Sequence, residues 1–358
     1  METLQTTLAH WYETHQRTLP WRSDPSPYHV WLSEVILQQT RVNQGLDYFN
    51  RFTERWPSLP DLAQATEEEV LKMWQGLGYY SRARNLLHCA RQVAENHGGE
   101  FPHDYQQLTK LKGIGNYTAA AIASIAFGLP HAVVDGNVYR VLARIYDIDT
   151  PINKREGIEL FAQLADELLD KKHPGLHNQA MMEFGALHCT PQHPDCPGCP
   201  IQNLCLAFAH GTVEQRPQKE HKLKIRTRYF NYLLFSLPEN QVILHKREGN
   251  DIWKNLYDFP CIESDQPMNT EAVLNAATFK TLCAGNDFVI RSMSPPFTHK
   301  LTHQTIIATF TEIKIQGFLP PIQTKDILLA SEKELDTYPV PKLIENYLKH
   351  HCQLQTGN

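Results

Sequence analysis

A two-glycine turn that leads into an alanine-rich stretch restricts the fold of this chain more than any other feature. Residues 111–135 contain Gly113 and Gly115, and the alanine-rich run after them ends near Gly128 and Pro130. Glycine permits φ values closed to other residues, and the start of a helix presents free N–H groups and the positive end of its dipole. The pattern therefore predicts two helices joined by a turn that can bind an anion such as a DNA phosphate.

A Gly-x-Gly turn alone is more often an ordinary connection between helices. Its neighbours favour a functional interpretation here. Lys110 and Lys112 place positive charge beside the turn, and Asp135 stands where its side chain can cap the following helix. We therefore expect Lys112, Gly113 and Gly115 to contact the DNA backbone.

Composition excludes some classes of protein and leaves others open. The chain has 358 residues, 42% of them hydrophobic and 20% charged, which is ordinary for a protein with two domains. The N-terminus has neither a basic segment nor a long apolar run, so we expect no signal peptide, no membrane span and a cytoplasmic location. The net charge of -5 argues against a uniformly basic surface but permits local basic faces.

Four of the eight cysteines have the spacing of metal ligands, Cys-x6-Cys-x2-Cys-x5-Cys, in a segment rich in proline. These four are Cys189, Cys196, Cys199 and Cys205. Disulfides are rare in the cytosol, so four soft thiolates in one short, rigid loop predict a metal centre. Thiolate chemistry alone fits both zinc and an iron–sulfur cluster. We expect the other cysteines to be ordinary core or surface thiols.

The hydrophobic period changes along the chain and predicts two domains. Helices are predicted over 4–17, 27–52, 67–73, 81–96, 138–146 and 157–169. Strands are predicted over 229–237, 241–247, 288–293 and 305–315, with a closing helix over 340–349. The fold class is thus multidomain, with a mostly α-helical domain over 1–210 and an α+β domain over 229–358.

Between these domains, residues 211–228 show no apolar period and read as a basic linker. A charged run is more often simply solvated, but its position between two domains favours contact with DNA phosphates. Its basic residues are Arg216, Lys219, Lys222, Lys224, Arg226 and Arg228.

Glu34 is the candidate acid, because it falls among apolar residues of the segment Trp-Leu-Ser-Glu-Val-Ile-Leu-Gln-Gln-Thr. A single glutamate on a helix usually faces solvent. In an apolar environment, however, desolvation raises the pKa of a carboxyl, which can then hold a proton near neutral pH.

The segment Leu-Lys-Gly-Ile-Gly, followed by Asp135, resembles the helix-hairpin-helix and aspartate of the endonuclease III superfamily of DNA glycosylases. The family usually has proline at the position of Lys112. Lyase members carry a nucleophilic lysine where this chain has Tyr117, and a tyrosine cannot form a Schiff base. The Glu34 segment matches the catalytic helix of the MutY-like branch nearly residue for residue. The resemblance therefore implies a hydrolytic adenine glycosylase.

The resemblance also implies roles for the candidate catalytic residues. Glu34 would protonate the adenine ring and later help to activate water, while Asp135 would stay ionised beside an oxocarbenium-like sugar. Tyr117 would form a hydrogen bond near Asp135 and the sugar, and Asn137 would help to place water.

An adenine inside a duplex must be flipped out before such a pocket can reach it. By resemblance, Gln39 and Tyr79 would enter the base stack. Residues standing at the family's adenine-pocket positions are Arg17, Trp21, Arg22, Leu37 and Gln179. Each also has an ordinary alternative, because tryptophan and leucine are usually core residues and arginines usually lie on solvated surfaces.

The cysteine spacing resembles the loop that holds a [4Fe–4S] cluster in the endonuclease III and MutY families. In the second half, residues 251–260 resemble the Trp-x-x-Leu-x-x-Phe-Pro segment of Nudix-like folds, but no metal-binding glutamate box follows, so we expect no pyrophosphate hydrolysis. Phe297, Thr298 and His299 stand at the loop with which MutY proteins read 8-oxoguanine. By resemblance, these three residues would contact that base.

Three functions from different classes follow. The first is a monofunctional adenine glycosylase that acts, as a monomer, on duplex DNA with adenine opposite 8-oxoguanine or guanine. The second is a bifunctional, endonuclease III-like glycosylase-lyase, which Tyr117 disfavours. The third is a non-catalytic DNA-binding or iron–sulfur sensor protein, which the presence of both Glu34 and Asp135 disfavours.

Overall fold

The computed structural model describes residues 3–220, 225–283, 285–316 and 326–356. Helices within these residues are α1 (Leu4–His15), α2 (Pro20–Ser23), α3 (Pro27–Leu37), α4 (Val42–Arg55), α5 (Leu59–Gln64), α6 (Glu67–Met73), α7 (Ser81–Asn96), α8 (Tyr105–Leu108), α9 (Asn116–Ala121), α10 (Gly136–Ile145), α11 (Arg155–Leu168), α12 (Pro174–Leu187), α13 (Leu206–His210), α14 (Thr270–Asn275), α15 (Ala277–Cys283) and α16 (Lys342–Thr356). Strands are β1 (Arg226–Leu237), β2 (Gln241–Lys246), β3 (Tyr257–Asp258), β4 (Cys261–Ser264), β5 (Phe288–Met293), β6 (Phe297–Lys300), β7 (Gln304–Ile315) and β8 (Ile327–Ser331). The predicted combination of a helical half and an α+β half is confirmed.

The chain divides into two compact units. The first consists of Met1–Gln64 and Asn85–His221, and the second consists of Ala65–Arg84 and Lys222–Asn358. The division by sequence pattern did not anticipate that residues 65–84 group with the C-terminal half. Among the described residues, no helix combines the length and apolar character needed to cross a bilayer.

The core of the helical unit lies between α1, α10, α11 and α12. Leu8, Val141, Phe161 and Phe184 are each at most 1% exposed. Their apolar side chains recur at helical spacing, so each helix buries one face against its neighbours. This packing fixes α10 and α12, two of the helices that carry the candidate site.

The helix predicted over 27–52 is interrupted. The apolar period continues, but α3 ends at Leu37 and α4 begins at Val42, with Gln39 between them at φ 57°. A left-handed residue cannot continue a right-handed helix. Periodicity reports which side chains are buried and is insensitive to a short break that keeps both helices against the same core.

The two glycines of the turn play different parts. Gly113 has φ 81°, and a Cβ atom there would lie 2.7 Å from Cβ of Asn85. Gly115 has φ -91°, which any residue adopts, and a Cβ atom there would meet no heavy atom within 4 Å. The expectation that both glycines supply unusual φ values is therefore wrong for Gly115, whose surface is instead open to a ligand.

In the second unit, the described strands form one mixed sheet. Its main path runs β3-β2-β1-β7-β5, with β4 paired to β1, β6 to β7 and β8 to β2. The long strands β1 and β7 are parallel from Arg226↔Gln304 to Ser236↔Lys314. Phe279 of α15 and Val273 of α14 pack on one face of this sheet against residues such as Ile313. On the other side, the ring of Tyr347 stacks on Phe310 with a centroid separation of 3.7 Å.

Residues 65–84 are tied to this unit by hydrogen bonds. Asn255 donates to Glu67 at 2.5 Å, and the Tyr257 hydroxyl donates to Glu68 at 3.2 Å. Lys72 donates to the backbone carbonyl of Tyr338 at 3.2 Å. Arg84, at the other end of the segment, donates to the backbone carbonyl of Lys254 at 2.9 Å, so the inserted segment is held near both of its ends.

The basic stretch 211–228 differs in part from the predicted linker. Arg228 lies inside β1, is 9% exposed and donates to both Asp251 and Glu263. Arg216 forms an ion pair with Asp147 at 2.9 Å. These two cations are engaged within the protein, because each has a carboxylate partner within reach. Lys222 and Lys224 lie outside the described residues.

Candidate active site

A cavity of about 460 Å³ in the helical unit brings together most of the residues singled out from the sequence. The residues expected to act in catalysis or to bind adenine that line it are Arg17, Trp21, Arg22, Glu34, Leu37, Tyr117, Asp135, Asn137 and Gln179. Gln39 lines the same cavity. Such a volume accommodates a ligand of the size of a nucleoside. The cavity forms where α2, α3, α9, α10 and α12 meet.

Glu34 projects into this cavity from α3, whose other residues are mostly buried. Burial raises the pKa of its carboxyl to about 7, and the charge of Asp135 acts in the same direction. A hydrogen bond from Tyr117 and the charge of Arg22 oppose this rise. The carboxyl therefore exchanges its proton near neutral pH, as a general acid must.

The Tyr117 hydroxyl donates to Oε2 of Glu34 at 2.5 Å. The resemblance had implied a hydrogen bond near Asp135 instead. Met182 lies beside the same hydroxyl, with its sulfur 3.8 Å away. Burial raises the pKa of Tyr117 well above its ordinary value, so this residue stays a hydrogen-bond donor toward Glu34.

Asp135 caps the N-terminus of α10, as its position in the sequence predicted. Its Oδ1 accepts from the backbone N–H groups of Asn137 at 2.8 Å and Val138 at 2.7 Å. Its Oδ2 accepts from the Asn137 side-chain amide at 2.7 Å. Burial raises the pKa of Asp135 above its ordinary value, and these donors offset only part of that rise. The oxygen of the Asn137 amide accepts from Arg140, so this side chain is committed to holding Asp135 in place.

Glu183 is a prominent residue of the site that the sequence analysis missed. It lies on α12, is 1% exposed and lines the cavity between Arg17 and Arg22. Its Oε1 accepts from Arg17 Nε at 2.8 Å and from Arg22 Nη1 at 2.9 Å, and its Oε2 accepts from both guanidinium groups. Burial acts to raise the pKa of Glu183, but these hydrogen bonds lower it to about 2. The sequence contained a signal for Glu183. It is a single acidic residue in an apolar run, as Glu34 is in its own segment.

The rest of the adenine-pocket candidates also have definite neighbours. Trp21 is buried and its ring packs edge-on against Phe49 at 5.0 Å, so it belongs both to the core and to the cavity wall. The side-chain oxygen of Gln179 accepts from the Tyr12 hydroxyl at 2.9 Å. Its amide nitrogen carries the donors that remain for a ligand.

Gln39 and Tyr79, expected to enter the base stack, both have left-handed backbone conformations. Their φ values are 57° and 48°. Such conformations are unfavourable for residues other than glycine and mark positions where the surrounding structure holds a side chain in place. Tyr79 is 43% exposed and belongs to the second unit, where its hydroxyl is hydrogen-bonded to Thr302.

Phe297, Thr298 and His299 form an edge strand, β6, and the expectation of a loop is wrong. The strand pairs antiparallel with β7, with Thr298 opposite Ile307. Alternation along the strand half-buries Phe297 and His299 and exposes Thr298. The Phe297 ring packs edge-on against Phe310 at 5.6 Å. Thr298 thus offers its hydroxyl at the surface.

Cys189, Cys196, Cys199 and Cys205 line one small cavity of about 30 Å³. Nη1 of Arg144 donates to Sγ of Cys189 at 3.3 Å, and further hydrogen bonds join Arg144 to the backbone of the same loop. Among the described residues, no group of three or more His, Cys, Asp or Glu side chains is arranged to hold a metal ion. The donor set itself, four cysteine thiols lining one space, has the chemistry that an iron–sulfur cluster requires once the thiols are deprotonated.

Comparison with known proteins identifies both halves of the chain. Residues 32–166 match the HhH-GPD superfamily of base excision DNA repair proteins, and residues 231–350 match the NUDIX domain family. The helical part resembles the solved structure of a thermostable thymine-DNA glycosylase, with a TM-score of 0.53 and 28% identity over 57% of this chain and 94% of that one.

Two curated relatives are named adenine DNA glycosylase. The protein from Mus musculus is 48% identical over 210 residues, which cover 56% of this chain but only 41% of the mouse protein. The protein from Buchnera aphidicola subsp. Baizongia pistaciae (strain Bp) is 33% identical over 301 residues, covering 84% of this chain and 83% of that protein. The match with the second relative extends through both halves. This chain belongs to the adenine DNA glycosylase family.

Proposed function

We propose that this protein is a monofunctional DNA glycosylase of base excision repair, which acts as a cytoplasmic monomer. Its substrate is duplex DNA with adenine mispaired with 8-oxoguanine or guanine, and it hydrolyses the N-glycosidic bond of that adenine. One observation carries the proposal. Glu34 and Asp135 line the same cavity, with Tyr117 beside Glu34 and a nucleoside-sized space between the helices.

Proton transfer falls to Glu34. Near neutral pH a carboxyl with a pKa of about 7 is in part protonated, and it can give that proton to a ring nitrogen of the departing adenine. The ionised carboxyl left behind can then accept a proton from water as it attacks the sugar. Tyr117 keeps the carboxyl in one orientation by donating to Oε2.

Stabilisation of the sugar falls to Asp135. As the bond breaks, positive charge develops on the sugar, and a fixed carboxylate stabilises it most effectively where water is excluded. The donors from Asn137 and Val138 favour the ionised form of Asp135 and fix its position. Because Tyr117 offers no amine, water attacks the sugar, which keeps the new hydroxyl while adenine leaves, and no Schiff base forms.

Duplex binding would combine the helix-hairpin-helix with residues that enter the base stack. The open face over Gly115 leaves room for a phosphate, and Lys112 adds positive charge beside it. Gln39 and Tyr79 would fill the space left by the flipped adenine, and their unfavourable backbone conformations support that role. The exposed Thr298 hydroxyl, flanked by Phe297 and His299, would read 8-oxoguanine.

The four cysteines would hold a [4Fe–4S] cluster, which would cross-link the loop between Cys189 and Cys205. The four thiols line one cavity beside Arg144, whose positive charge favours thiolates. Through Arg144, the loop is attached to α10, the helix that Asp135 caps.

The test is a single-turnover assay of adenine release from duplexes with adenine opposite 8-oxoguanine, guanine or thymine. We expect release opposite 8-oxoguanine and guanine, and a loss of about two to four orders of magnitude in rate for Glu34→Gln with duplex binding retained. Absence of adenine release by the wild-type protein would refute the proposal. Borohydride trapping of a covalent protein–DNA product would instead establish the glycosylase-lyase alternative.

A further inference from the structure

Glu183 has no role in the chemistry described so far, although it is one of the most engaged side chains in the cavity. It is 1% exposed, and both of its carboxylate oxygens accept hydrogen bonds from Arg17 and Arg22. Oε1 also accepts from the backbone N–H of Arg17 at 2.9 Å. A buried carboxylate with this many charged donors is fixed in position.

The charges explain why such a residue is needed. Two guanidinium groups stand in the wall of a cavity that also holds Glu34 and Asp135. A guanidinium that lacks a partner in a low-dielectric cavity moves toward the nearest carboxylate, because an uncompensated buried charge is strongly unfavourable. The charge of Arg22 already reaches Glu34, where it acts to lower the pKa of the acid.

Among the described residues, the guanidinium of Arg22 has one hydrogen-bond acceptor besides Glu183. Apart from Glu183, the described contacts of its guanidinium include a hydrogen bond from Nη1 to the Arg17 carbonyl at 3.0 Å. Its Cζ also lies 5.5 Å from the centre of the Tyr12 ring. Neither contact supplies a negative charge, so Glu183 is what compensates Arg22 in place.

We propose that Glu183 is a positioning residue. It holds Arg17 and Arg22 in the wall of the cavity and keeps Arg22 from forming an ion pair with Glu34. The proposal rests on the proposed function, since it assigns Glu34 the role of acid. It predicts that Glu183 sets the pH range of the reaction without touching the reacting atoms.

The groups that act on Glu34 come from three elements of the cavity wall. They are Tyr117 from α9, Asp135 at the start of α10 and Arg22 from α2. Glu183→Gln changes none of these groups directly and removes the carboxylate charge that restrains Arg17 and Arg22. Because the protonated form of Glu34 is the active one, the rate should fall with rising pH through the pKa of Glu34. In the variant this midpoint should move down by about one pH unit, so that the rate at pH 8 falls about tenfold further than the rate at pH 5.

The test is the pH profile of single-turnover adenine release by the full-length holoprotein, compared between wild type, Glu183→Gln and the double variant Glu183→Gln with Arg22→Gln. Removing Arg22 as well should return the midpoint to the wild-type pH or above it, because Arg22 also lowers the pKa of Glu34 in the wild type, although the overall rate stays low. A Glu183→Gln profile reduced equally at every pH, or a double variant whose midpoint stays shifted, would overturn the proposal.

Two further arms separate this inference from other failures. If Glu183→Gln does not fold, the pH profile of Glu183→Asp is the test. The shorter side chain keeps the charge but cannot form hydrogen bonds with both arginines, so a smaller shift of the midpoint in the same direction is expected. An unmoved midpoint overturns the proposal. If the wild-type protein releases no adenine, the proposed function fails. The pKa of Glu34 is then measured without catalysis. The change in unfolding free energy caused by Glu34→Gln is followed as a function of pH, once with Glu183 present and once with Glu183→Gln. The same shift in the pKa of Glu34 is expected.

Discussion

Replacing Glu34 by glutamine should make the protein more stable at pH 8 while it abolishes most of the activity. Burial raises the pKa of Glu34 from its ordinary value of 4.5 to about 7. Between pH 4.5 and about pH 7, Glu34 is protonated in the folded state and ionised in the unfolded state. Stability therefore falls as the pH rises through this window, and the loss is complete above the folded pKa.

The size of the effect follows from the shift. A difference of about 2.5 pKa units corresponds to about 3 kcal/mol, at roughly 1.4 kcal/mol for each unit. Glutamine has nearly the same shape, can accept the Tyr117 hydroxyl and does not ionise. Relative to the wild type, Glu34→Gln should be close to neutral at pH 4.5 and should gain about 3 kcal/mol by pH 8.

The assay is urea-induced unfolding followed by far-ultraviolet circular dichroism, at several pH values from 4.5 to 8. Glu54→Gln, at an exposed position of α4, corrects for the loss of one carboxyl outside the cavity. A stability difference between Glu34→Gln and wild type that is flat across this range, or that grows in favour of the wild type, would refute the assignment of a raised pKa to Glu34.

Further predictions follow from the turn, the cluster loop and the edge strand. Gly113→Ala should lower the free energy of unfolding by about 1–3 kcal/mol, because Gly113 has a positive φ and a Cβ atom there would contact Asn85. Gly115→Ala should leave stability nearly unchanged and weaken duplex binding. Thermal unfolding measures the first effect, and salt-dependent binding titrations measure the second. The purified protein should be brown, with a broad absorbance at roughly 400 nm that disappears on removal of iron, and elemental analysis that finds zinc without iron would contradict the cluster. Thr298→Ala should reduce the preference for 8-oxoguanine over guanine by less than about tenfold, since one hydrogen bond contributes about 1 kcal/mol, and a preference that does not change would mean that this hydroxyl does not read the base.

The sequence predicted those features that depend on local chemistry. Asp135 was expected to cap a helix because short acidic side chains favour that position, and it does. Helical spacing located α6 and α7, and alternation located β1, β2, β5 and β7, but the strands β4, β6 and β8 and the helices α14 and α15 were not predicted. Resemblance gathered residues from distant parts of the chain into one list, and most of the list lines one cavity.

What the sequence did not predict depends on contacts between distant segments. The partners of Glu183 are more than 160 positions away in the chain, so no local pattern pairs them. The break at Gln39 keeps the apolar period intact and therefore leaves no trace in it. The different roles of Gly113 and Gly115 appear only when the atoms around each Cβ position are known.

The grouping of residues 65–84 with the second unit limits where the chain can be truncated or recombined. A stop after His210 would leave that segment without Asn255, Tyr257 and the carbonyl of Tyr338, its hydrogen-bonding partners. It would also leave Tyr79 without Thr302. Tyr79, which is proposed to enter the DNA, is thus hydrogen-bonded to a residue of the C-terminal half. The N-terminal and C-terminal halves therefore cannot be exchanged independently between homologues. A chimera should keep 65–84 and 222–358 from the same parent.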